Sequence, residues 1–458
     1  MIDTGGSYGA LRAAHLHQIR AALEDHVERV DWPRERIERY RTERLRALLT
    51  YARERSPFHA ARMRGLDPST ATVADLAKLP PMSKREAQEE WDAIVTAPRL
   101  RRADAERILA EQTWFSYTPD GEQVFSSGGS SGVRGVYVWD WPLLVTLACL
   151  AWRMQLRAER NAGADGRPAR LAVLEAGAPP HASTPLFDVP ITAGMETVVI
   201  AAAQPFDELV AAVQQARPTH LVGYASVIGR LARASAGGSL EIAPVRVSTN
   251  SEPLTVEDRD AILAAWNAPV HNLWGSTEIG VQAVGCGHGD GLHVCEDEVV
   301  LERVDTSGDP VGPDQPAART LATGLAGTTF PFIRYDLGDE VTLLPDPCPC
   351  GSTLPRVADV AGRRDDDFDY GTCMVPAAVF RHVLGTDPRI SEYQVRQTPG
   401  GAEIIVVGAP DMAAVATALE GALRSRGLAR PAVSVTAVAA IARHSATGKL
   451  RRFVALDR

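Results

Sequence analysis

Between residues 140 and 285, segments with helical periodicity alternate with short apolar runs, and this alternation limits the fold more than any other feature. Apolar positions three and four residues apart predict amphipathic helices, whereas brief apolar runs between turn residues predict buried strands. The predicted helices are 141–156, 206–216 and 256–266, and the predicted strands are 171–174, 220–222, 245–248 and 270–273. This order of elements is typical of an α/β core.

The segments on either side of this core have different patterns. Residues 11–63 predict helix, and Ser83 predicts the N-cap of a helix that runs to Trp91. Residues 292–345 favour strands and turns, including strands at 298–304 and 340–344. A polar, hinge-like stretch at 363–367 then precedes a segment that is typical of a small α+β unit.

Composition excludes several classes of protein. The chain has 458 residues and a formal net charge of −9, whereas nucleic-acid-binding domains are usually basic. The longest apolar stretch, 141–152, is shorter than the roughly 20 residues that span a bilayer. Six cysteines do not make a disulfide scaffold in a chain of this length. We therefore expect a cytoplasmic protein without nucleic-acid or membrane partners.

A run of small residues, Ser126 to Gly132, lies between a strand-like segment and the β-rich segment 136–139. Glycines allow close backbone approach, and amides with serine hydroxyls can surround a phosphate. A flexible loop of the same composition is the simpler alternative. The run is not a Walker A loop, because no Gly-Lys-Ser/Thr follows it.

The order of further motifs strengthens the nucleotide interpretation. After the glycine-serine run come Asn-Leu-Trp-Gly-Ser-Thr-Glu at 272–278, Pro-Phe-Ile-Arg-Tyr-Asp-Leu-Gly-Asp at 331–339, Gly-Arg-Arg-Asp-Asp at 362–366 and Thr-Gly-Lys-Leu-Arg-Arg at 447–452. In this order the motifs resemble the adenylate-forming superfamily of acyl-CoA synthetases, luciferases and adenylation domains. Segments 40–45 and 79–84 resemble its phenylacetate–CoA ligase branch.

This resemblance implies a large N-terminal adenylation domain at 1–361, with α/β layers and a small β-rich subdomain, and a mobile α+β lid domain at 362–458. It implies that a carboxylic acid reacts with ATP and Mg²⁺ to give an acyl-adenylate and pyrophosphate. The acyl group then passes to the thiol of CoA. Transfer to a carrier protein or an amine, adenylation of a cofactor, and a non-catalytic nucleotide-binding protein are the alternatives. A homodimer is a further expectation.

The resemblance also assigns roles to individual residues. Lys449 would bridge the acid and the α-phosphate, Thr277 would contact the α-phosphate, and Glu278 would bind Mg²⁺. Lys449 is one of only three lysines, which gives it weight in an arginine-rich chain. Trp274 would stack on adenine, Asp339 would bind the ribose, and Asp365 would be the hinge. The residues matched to ATP and AMP binding are Ser127, Gly128, Gly129, Ser130, Ser131, Gly132, Ser251, Glu252, Pro253, Asn272, Trp274, Gly275, Ser276, Asp339 and Arg363.

The acyl pocket is expected between the segments 177–187, 223–226 and 274–280. Its candidate lining residues are His181, Phe187, Tyr224, Ile279 and Val281. His181 could equally be a residue of a capping loop. Aromatic and apolar side chains suit an aryl or cyclic acid better than a long acyl chain.

Cysteines and histidines cluster at two places and predict a structural zinc ion. Cys286 and His293 with Cys348 and Cys350 give the thiolates and imidazole that tetrahedral zinc prefers. His288 and Cys295 are the substitute ligands. Because the spacing is not that of a standard zinc finger, buried free thiols are the alternative.

Overall fold

The structure is a computed structural model of the chain. It describes residues 4–127, 134–162, 168–177, 179–192, 194–312, 315, 317–360, 366–385, 387, 389–445 and 447–456, and every structural statement below concerns these residues. The helices are α1 (Thr4–Arg29), α2 (Arg34–Arg55), α3 (Pro57–Arg62), α4 (Lys84–Glu89), α5 (Trp91–Ile94), α6 (Arg102–Glu111), α7 (Trp141–Ala162), α8 (Ser183–Phe187), α9 (Phe206–Ala216), α10 (Ala225–Ala236), α11 (Val256–Trp266), α12 (Ala377–Gly385) and α13 (Met412–Ser425), with a 3-10 helix at Val73–Lys78.

The strands fall into a large central sheet and several small ones. They are β1 (Gln123–Ser127), β2 (Gly135–Trp139), β3 (Arg170–Glu175), β4 (Glu196–Ala201), β5 (His220–Tyr224), β6 (Arg246–Asn250), β7 (Val270–Ser276), β8 (Gly280–Val284), β9 (Leu292–Val294), β10 (Val299–Val304), β11 (Arg319–Gly324), β12 (Tyr335–Asp336), β13 (Leu343–Leu344), β14 (Arg356–Val357), β15 (Phe368–Asp369), β16 (Met374–Val375), β17 (Ile390–Thr398), β18 (Gly401–Gly408), β19 (Ala432–Val438) and β20 (Phe453–Val454). Among the described residues the central sheet has the order β13-β14-β9-β8-β7-β6-β5-β3-β4.

The part of the central sheet from β4 to β7 is parallel, with helical connections, which confirms the predicted α/β core. Strands β3 and β5 are almost entirely buried, as parallel strands covered on both faces must be. Because the strands are parallel, their carboxyl ends meet at one edge of the sheet. This edge is where open α/β sheets bind ligands.

From β7 to β13 the same sheet continues with antiparallel strands, and β10, β11 and β12 form a separate antiparallel sheet. These strands correspond to the predicted β-rich subdomain. The strand predicted at 340–344 is limited to Leu343–Leu344, and both of its residues are at least partly exposed. Too few apolar residues face the core there to extend the pairing.

The helix predicted over 11–63 is divided into α1, α2 and α3. Pro33 precedes α2 and Pro57 is the first residue of α3, and the proline ring fits the first turn of a helix but not its interior. Ser56 caps α3 through its side chain. Ser83 caps α4 as predicted, with a reciprocal bond from Glu86, but α4 ends at Glu89 and α5 follows.

Four elements between residues 140 and 285 were not predicted from the sequence, namely α8, β4, α10 and β8. Strand β4 lies at the edge of the sheet and alternates between exposed and partly buried residues. Helix α10 contains Gly229, which weakens its helical signal. A Cβ atom at Gly229 would lie 2.2 Å from an oxygen of Asp258 on α11, so the glycine allows the two helices to pack closely.

After residue 365 the chain forms its own four-stranded sheet, in the order β19-β18-β17-β20, with α12 and α13 packed against it. Phe368, Phe380, Leu419 and Phe453 lie in its separate apolar core. The predicted boundary between residues 361 and 362 lies outside the described residues.

A buried ion pair joins the helical layer to the β-rich part. Arg153 of α7 donates to both carboxylate oxygens of Asp297 at 2.7 and 2.9 Å, and each side chain is 1% exposed. Arg29 of α1 donates to the neighbouring Glu298 at 2.8 Å. Burial, the largest single effect, would raise the pKa of Asp297, but the charge and hydrogen bonds of Arg153 together with the charges of His26 and Arg29 lower it.

We predict that Arg153→Met lowers the free energy of unfolding by about 3–5 kcal/mol, because it leaves the Asp297 carboxylate buried without its partner. Urea denaturation followed by circular dichroism measures this change. The control is Arg99→Met, which breaks the exposed pair with Asp120 and should cost less than about 1 kcal/mol. Equal effects of the two substitutions would contradict the prediction.

Candidate active site

The predicted site residues gather at the carboxyl edge of the parallel strands. Loops that follow β3, β5, β6 and β7 carry the segments matched to the acyl pocket and to the nucleotide. Strand β1 ends at Ser127, and the loop residues Gly128, Gly129, Ser130, Ser131 and Gly132 lie outside the described residues. Arg363 and Asp365 lie outside them as well.

Lys84 reaches the start of the glycine-serine loop, a contact that sequence analysis did not predict. Its ammonium donates to the hydroxyl of Ser127 at 3.2 Å from the first turn of α4. The capping box of Ser83 and Glu86 fixes the start of that helix and therefore the direction of the lysine. The scarcity of lysine was a signal that could have identified it.

Thr277 and Glu278 lie in the turn between β7 and β8, held by three aromatic side chains. Oε1 of Glu278 accepts hydrogen bonds from the hydroxyls of Tyr137 at 2.7 Å and Tyr335 at 2.9 Å. The indole of Trp139 donates to the carbonyl of Thr277 at 2.9 Å. Burial, followed by the charge of Glu278, raises the pKa of Tyr137, so its hydroxyl stays protonated and donates.

The other carboxylate oxygen of Glu278 accepts no hydrogen bond from the described residues. A hard oxygen donor that is fixed through its partner oxygen suits Mg²⁺, which prefers carboxylate oxygens and strict geometry. The chemistry of this position therefore fits the predicted role of Glu278.

The residues matched to adenine and ribose are in contact with each other. Nε1 of Trp274 donates to Oδ2 of Asp339 at 2.8 Å. Asn272 is bound within the sheet, because its amide donates to Asp359 at 2.6 Å and accepts from Thr249 at 2.9 Å. Asn272 thus positions the strand end, and the Trp274–Asp339 hydrogen bond lies two residues further along β7.

Gly275 and Ser276 shape the turn that follows. A Cβ atom at Gly275 would lie 2.8 Å from the carbonyl oxygen of Gly280, so glycine lets β7 and β8 approach closely. The hydroxyl of Ser276 accepts from the amide of Ile279 at 3.2 Å and from Gln282 at 2.9 Å. Both residues therefore position Thr277 and Glu278 through the backbone.

The C-terminal segment docks on the same edge and brings Lys449 to it. Oε1 of Glu252 accepts the amide of Leu450 at 2.7 Å, and Oε2 accepts the hydroxyl of Ser226 at 2.6 Å. Arg443 donates to that same hydroxyl at 2.6 Å. Glu252, which was matched to the adenine pocket, thus holds the segment that carries Lys449. Its neighbours are Ser251 and Pro253, which were matched to the same pocket. The φ of Ser251 is 61°, in the left-handed region.

Lys449 lies over the ring of Tyr224, with 4.9 Å between its ammonium and the ring centroid. His181 is near, since burial, followed by the charges of Lys449 and His444, lowers its pKa to about 4 and keeps it neutral. The structure therefore brings two of the predicted acyl-pocket residues, His181 and Tyr224, together around Lys449.

The other predicted pocket residues are buried. Phe187 lines a separate cavity of about 10 Å³, room for about one water molecule, together with Trp152 and His271. Ile279 and Val281 are buried at the start of β8.

The four predicted zinc ligands also come together. The ligand atoms of Cys286, His293, Cys348 and Cys350 all lie within 4.8 Å of one another. The sulfurs of Cys286 and Cys348 are 3.5 Å apart, and Nε2 of His293 is 3.4 Å from the sulfur of Cys350. Nδ1 of His293 is bonded to the carbonyl of Leu354 at 3.2 Å, which directs Nε2 into the cluster.

The substitute ligands do not point into this cluster. His288 approaches it through its carbonyl oxygen, which is 3.8 Å from the sulfurs of Cys286 and Cys348. Cys295 lies beside Arg153 and Asp297, and burial raises the pKa of its thiol to about 11.

No protein-family model matches the chain. A phenylacetate–coenzyme A ligase of Thermus thermophilus is 24% identical over 385 residues, which are 79% of this chain and 78% of that protein. Protein CapK of Staphylococcus aureus is 32% identical over 129 residues, 28% of this chain and 27% of that protein.

Solved structures show the same fold. A 2-hydroxyisobutyryl-CoA ligase in the postadenylation state superimposes with a TM-score of 0.69 at 19% identity, covering 94% of this chain and 92% of that one. In its thioesterification state the TM-score is 0.56, again at 19% identity, with 93% and 91% covered. An anthranilate CoA ligase with bound anthranoyl-AMP gives 0.51 at 16% identity, with 72% and 65% covered. The chain therefore has the fold of the adenylate-forming CoA ligases and is similar to phenylacetate–CoA ligase over most of its length, as its motifs predict.

Proposed function

We propose that this chain is an AMP-forming acid–CoA ligase. It joins a carboxylic acid to AMP with release of pyrophosphate and then transfers the acyl group to the thiol of CoA. The observation that carries the proposal is the docking of Lys449 at the sheet edge that also holds Thr277, Glu278 and the Trp274–Asp339 pair. The relatives named as CoA ligases support CoA as the acceptor.

The adenylation step must bring two anions together, so the chain has to supply positive charge and hydrogen-bond donors where negative charge develops. Lys449 neutralises the acid and the α-phosphate, and Thr277 donates to that phosphate. The loop after Ser127, with Lys84 at its start, holds the other phosphates. Asp339 accepts the ribose hydroxyls, since a carboxylate is an acceptor only. Mg²⁺ would be held by Glu278 and would offset the charge of the phosphates.

The second step requires Lys449 to leave, and we propose that the unit after residue 361 rotates about Asp365 as a lid. Three polar contacts support a reversible docking: Leu450 to Glu252, Arg443 to Ser226, and Arg452 to Asp258 at 3.2 Å. The better superposition on the postadenylation state than on the thioesterification state agrees with a lid docked for adenylation. The homodimer, the cytoplasmic location and the aryl or cyclic acid stay predictions.

Acid-dependent ATP–pyrophosphate exchange without CoA tests the proposed function. Exchange that requires one class of acid, followed by thioester formation when CoA is added, is the expected result. Exchange without thioester formation would instead favour a carrier protein or an amine as acceptor. AMP retained in the product, with no acid required, would favour cofactor adenylation.

Lys449→Ala should separate the two half-reactions. Because its charge acts only while the acid and the phosphate meet, we expect exchange to fall by about 10²–10³-fold or more. Thioester formation from supplied acyl-adenylate should be largely retained. Rapid-quench assays of each step measure the split, and equal loss of both steps would contradict the role of Lys449.

Lys84→Met should raise the KM for ATP roughly tenfold or more, because a hydrogen bond to a charged group contributes about 1.5–3 kcal/mol. The matched control is Lys78→Met, since Lys78 forms an exposed pair with Asp75 at 2.6 Å away from the site. The KM for ATP is measured by exchange at saturating acid. An unchanged value in Lys84→Met would remove this lysine from phosphate binding.

We also propose a structural zinc ion held by Cys286, His293, Cys348 and Cys350. Sulfurs 3.5 Å apart and a directed imidazole nitrogen fit tetrahedral ligation with Zn–S distances of about 2.3 Å. The ligands connect the turn before β9 to the loop between β13 and β14. The ion would therefore fasten the antiparallel end of the central sheet.

Metal analysis of the purified chain should give about one zinc per molecule, as closed four-ligand sites bind structural zinc. Cys348→Ser should lose the metal and unfold at a lower temperature, because metal binding stabilises the folded chain. Cys373→Ser is the control, since Cys373 lies in the C-terminal unit outside the cluster. Metal-free protein with an unchanged melting temperature would exclude the site.

A further inference from the structure

A buried carboxylate, Glu175, lies beside Lys449, and neither the sequence motifs nor the adenylation mechanism uses it. Glu175 is the last residue of β3 and is fully buried, with 0% exposure. Neither of its oxygens has a hydrogen-bond partner among the described residues. A buried carboxylate without partners is costly to fold, so its presence calls for a ligand.

Strand pairing places other polar side chains in the same row. Leu174 is opposite Gly223 and Tyr224 is opposite Asn250, so Glu175, Tyr224 and Asn250 end three adjacent strands on one face. Asn250 is 1% exposed, and both atoms of its amide lack partners among the described residues, as does the hydroxyl of Ser183. Adjacent strands are about 4.8 Å apart, so these groups surround one small volume.

The neighbours of Glu175 lie close without satisfying it. Asn250, Ser183 and Tyr224 are near enough to lower the pKa of Glu175, yet none of them has the geometry of a hydrogen bond to it. The hydroxyl of Tyr224 accepts the amide of Ala176 at 3.0 Å. Burial is the larger effect and raises the pKa of Glu175 to about 7, opposed by the charge of Lys449.

The unsatisfied atoms match an ammonium group. The two oxygens of Glu175 and Oδ1 of Asn250 are three acceptors, and a primary ammonium has three N–H donors. Its positive charge also offsets the buried carboxylate, which a hydroxyl cannot do. Lys449 lies over the ring of Tyr224, the residue that separates Glu175 from Asn250, so the carboxylate and the amino group of the ligand must be close together.

We infer that the acid activated at this site is an α- or β-amino acid, whose carboxylate meets Lys449 and whose ammonium is bound by Glu175 and Asn250. This inference rests on the proposed function and names its substrate class. Glu175 is then a specificity-determining residue. Other parts of the pocket select the remainder of the acid. An amino acid with an aryl or cyclic group therefore agrees with the sequence analysis.

Matched acids that differ at one substituent test the inference by ATP–pyrophosphate exchange. One set is phenylalanine, phenyllactate and 3-phenylpropanoate, and the other is β-alanine, 3-hydroxypropanoate and propanoate. In at least one set kcat/KM should be at least tenfold higher for the amino acid than for both analogues. Equal or better exchange with the hydroxy or unsubstituted acids would overturn the inference and leave the proposed function standing. No exchange with any acid would overturn both.

Glu175→Gln tests whether Glu175 causes the preference for an amino acid. The ratio of kcat/KM between the amino acid and its unsubstituted analogue should fall at least tenfold, and this ratio does not depend on the fraction of folded protein. Glu196→Gln is the control, because Glu196 is an exposed carboxylate at the start of β4. In this variant the ratio of kcat/KM between the amino acid and its unsubstituted analogue should stay unchanged. A uniform loss with all acids in Glu175→Gln would show that Glu175 acts only on Lys449 or on the fold, and would overturn the inference.

Discussion

The in-register pairing of the parallel strands determines where Glu175, Tyr224 and Asn250 lie. Strands β3, β5, β6 and β7 end at one edge of the sheet. Their last residues therefore lie side by side along that edge. A shift of the register by one residue would turn Glu175, Tyr224 and Asn250 to the opposite face. The site is thus a property of backbone hydrogen bonding, and the loops add the nucleotide-binding groups to it.

The buried ion pairs of the large domain differ from the polar contacts that dock the C-terminal unit. Buried ion pairs are costly to break: Arg153–Asp297 joins α7 to the β-rich part, and Arg334–Glu302, with a 3.0 Å hydrogen bond, lies within the β-rich part. The docking of the C-terminal unit instead uses a few partly buried polar contacts, as transient interfaces do. This contrast agrees with the proposed function, in which the segment that carries Lys449 leaves a frame that stays in place.

Much of the architecture follows from the sequence because it is locally encoded. Helix α11 begins and ends where its periodicity predicts, and the order of motifs identifies the fold. Strand β4 was not recognised although residues 198–201 form a continuous apolar run, because such a short run does not by itself distinguish a strand from a helix or a loop. Glu175 was not identified from the sequence, and the strand predicted at 171–174 ends one residue before it. The groups that surround its carboxylate are distant in sequence. No local sequence pattern could therefore show that its oxygens lack hydrogen-bond partners. Lys84 shows the opposite case, in which the scarcity of a residue type was informative before any contact was known.

Gly448 shows how the mobile and the fixed parts depend on each other. Its φ of 74° lies in the left-handed region, and a Cβ atom there would be 2.5 Å from the backbone of Ala202, just after β4. A side chain at this position would both strain the backbone and separate the lid from the sheet edge. The residue before Lys449 is therefore constrained by the surface that this segment docks on. Only a glycine lets the backbone come close enough for the Leu450 amide to reach Glu252 and for Lys449 to lie over Tyr224. A hydrogen bond and a cation–ring contact accompany this close approach, which agrees with the proposed release of the segment between the two half-reactions.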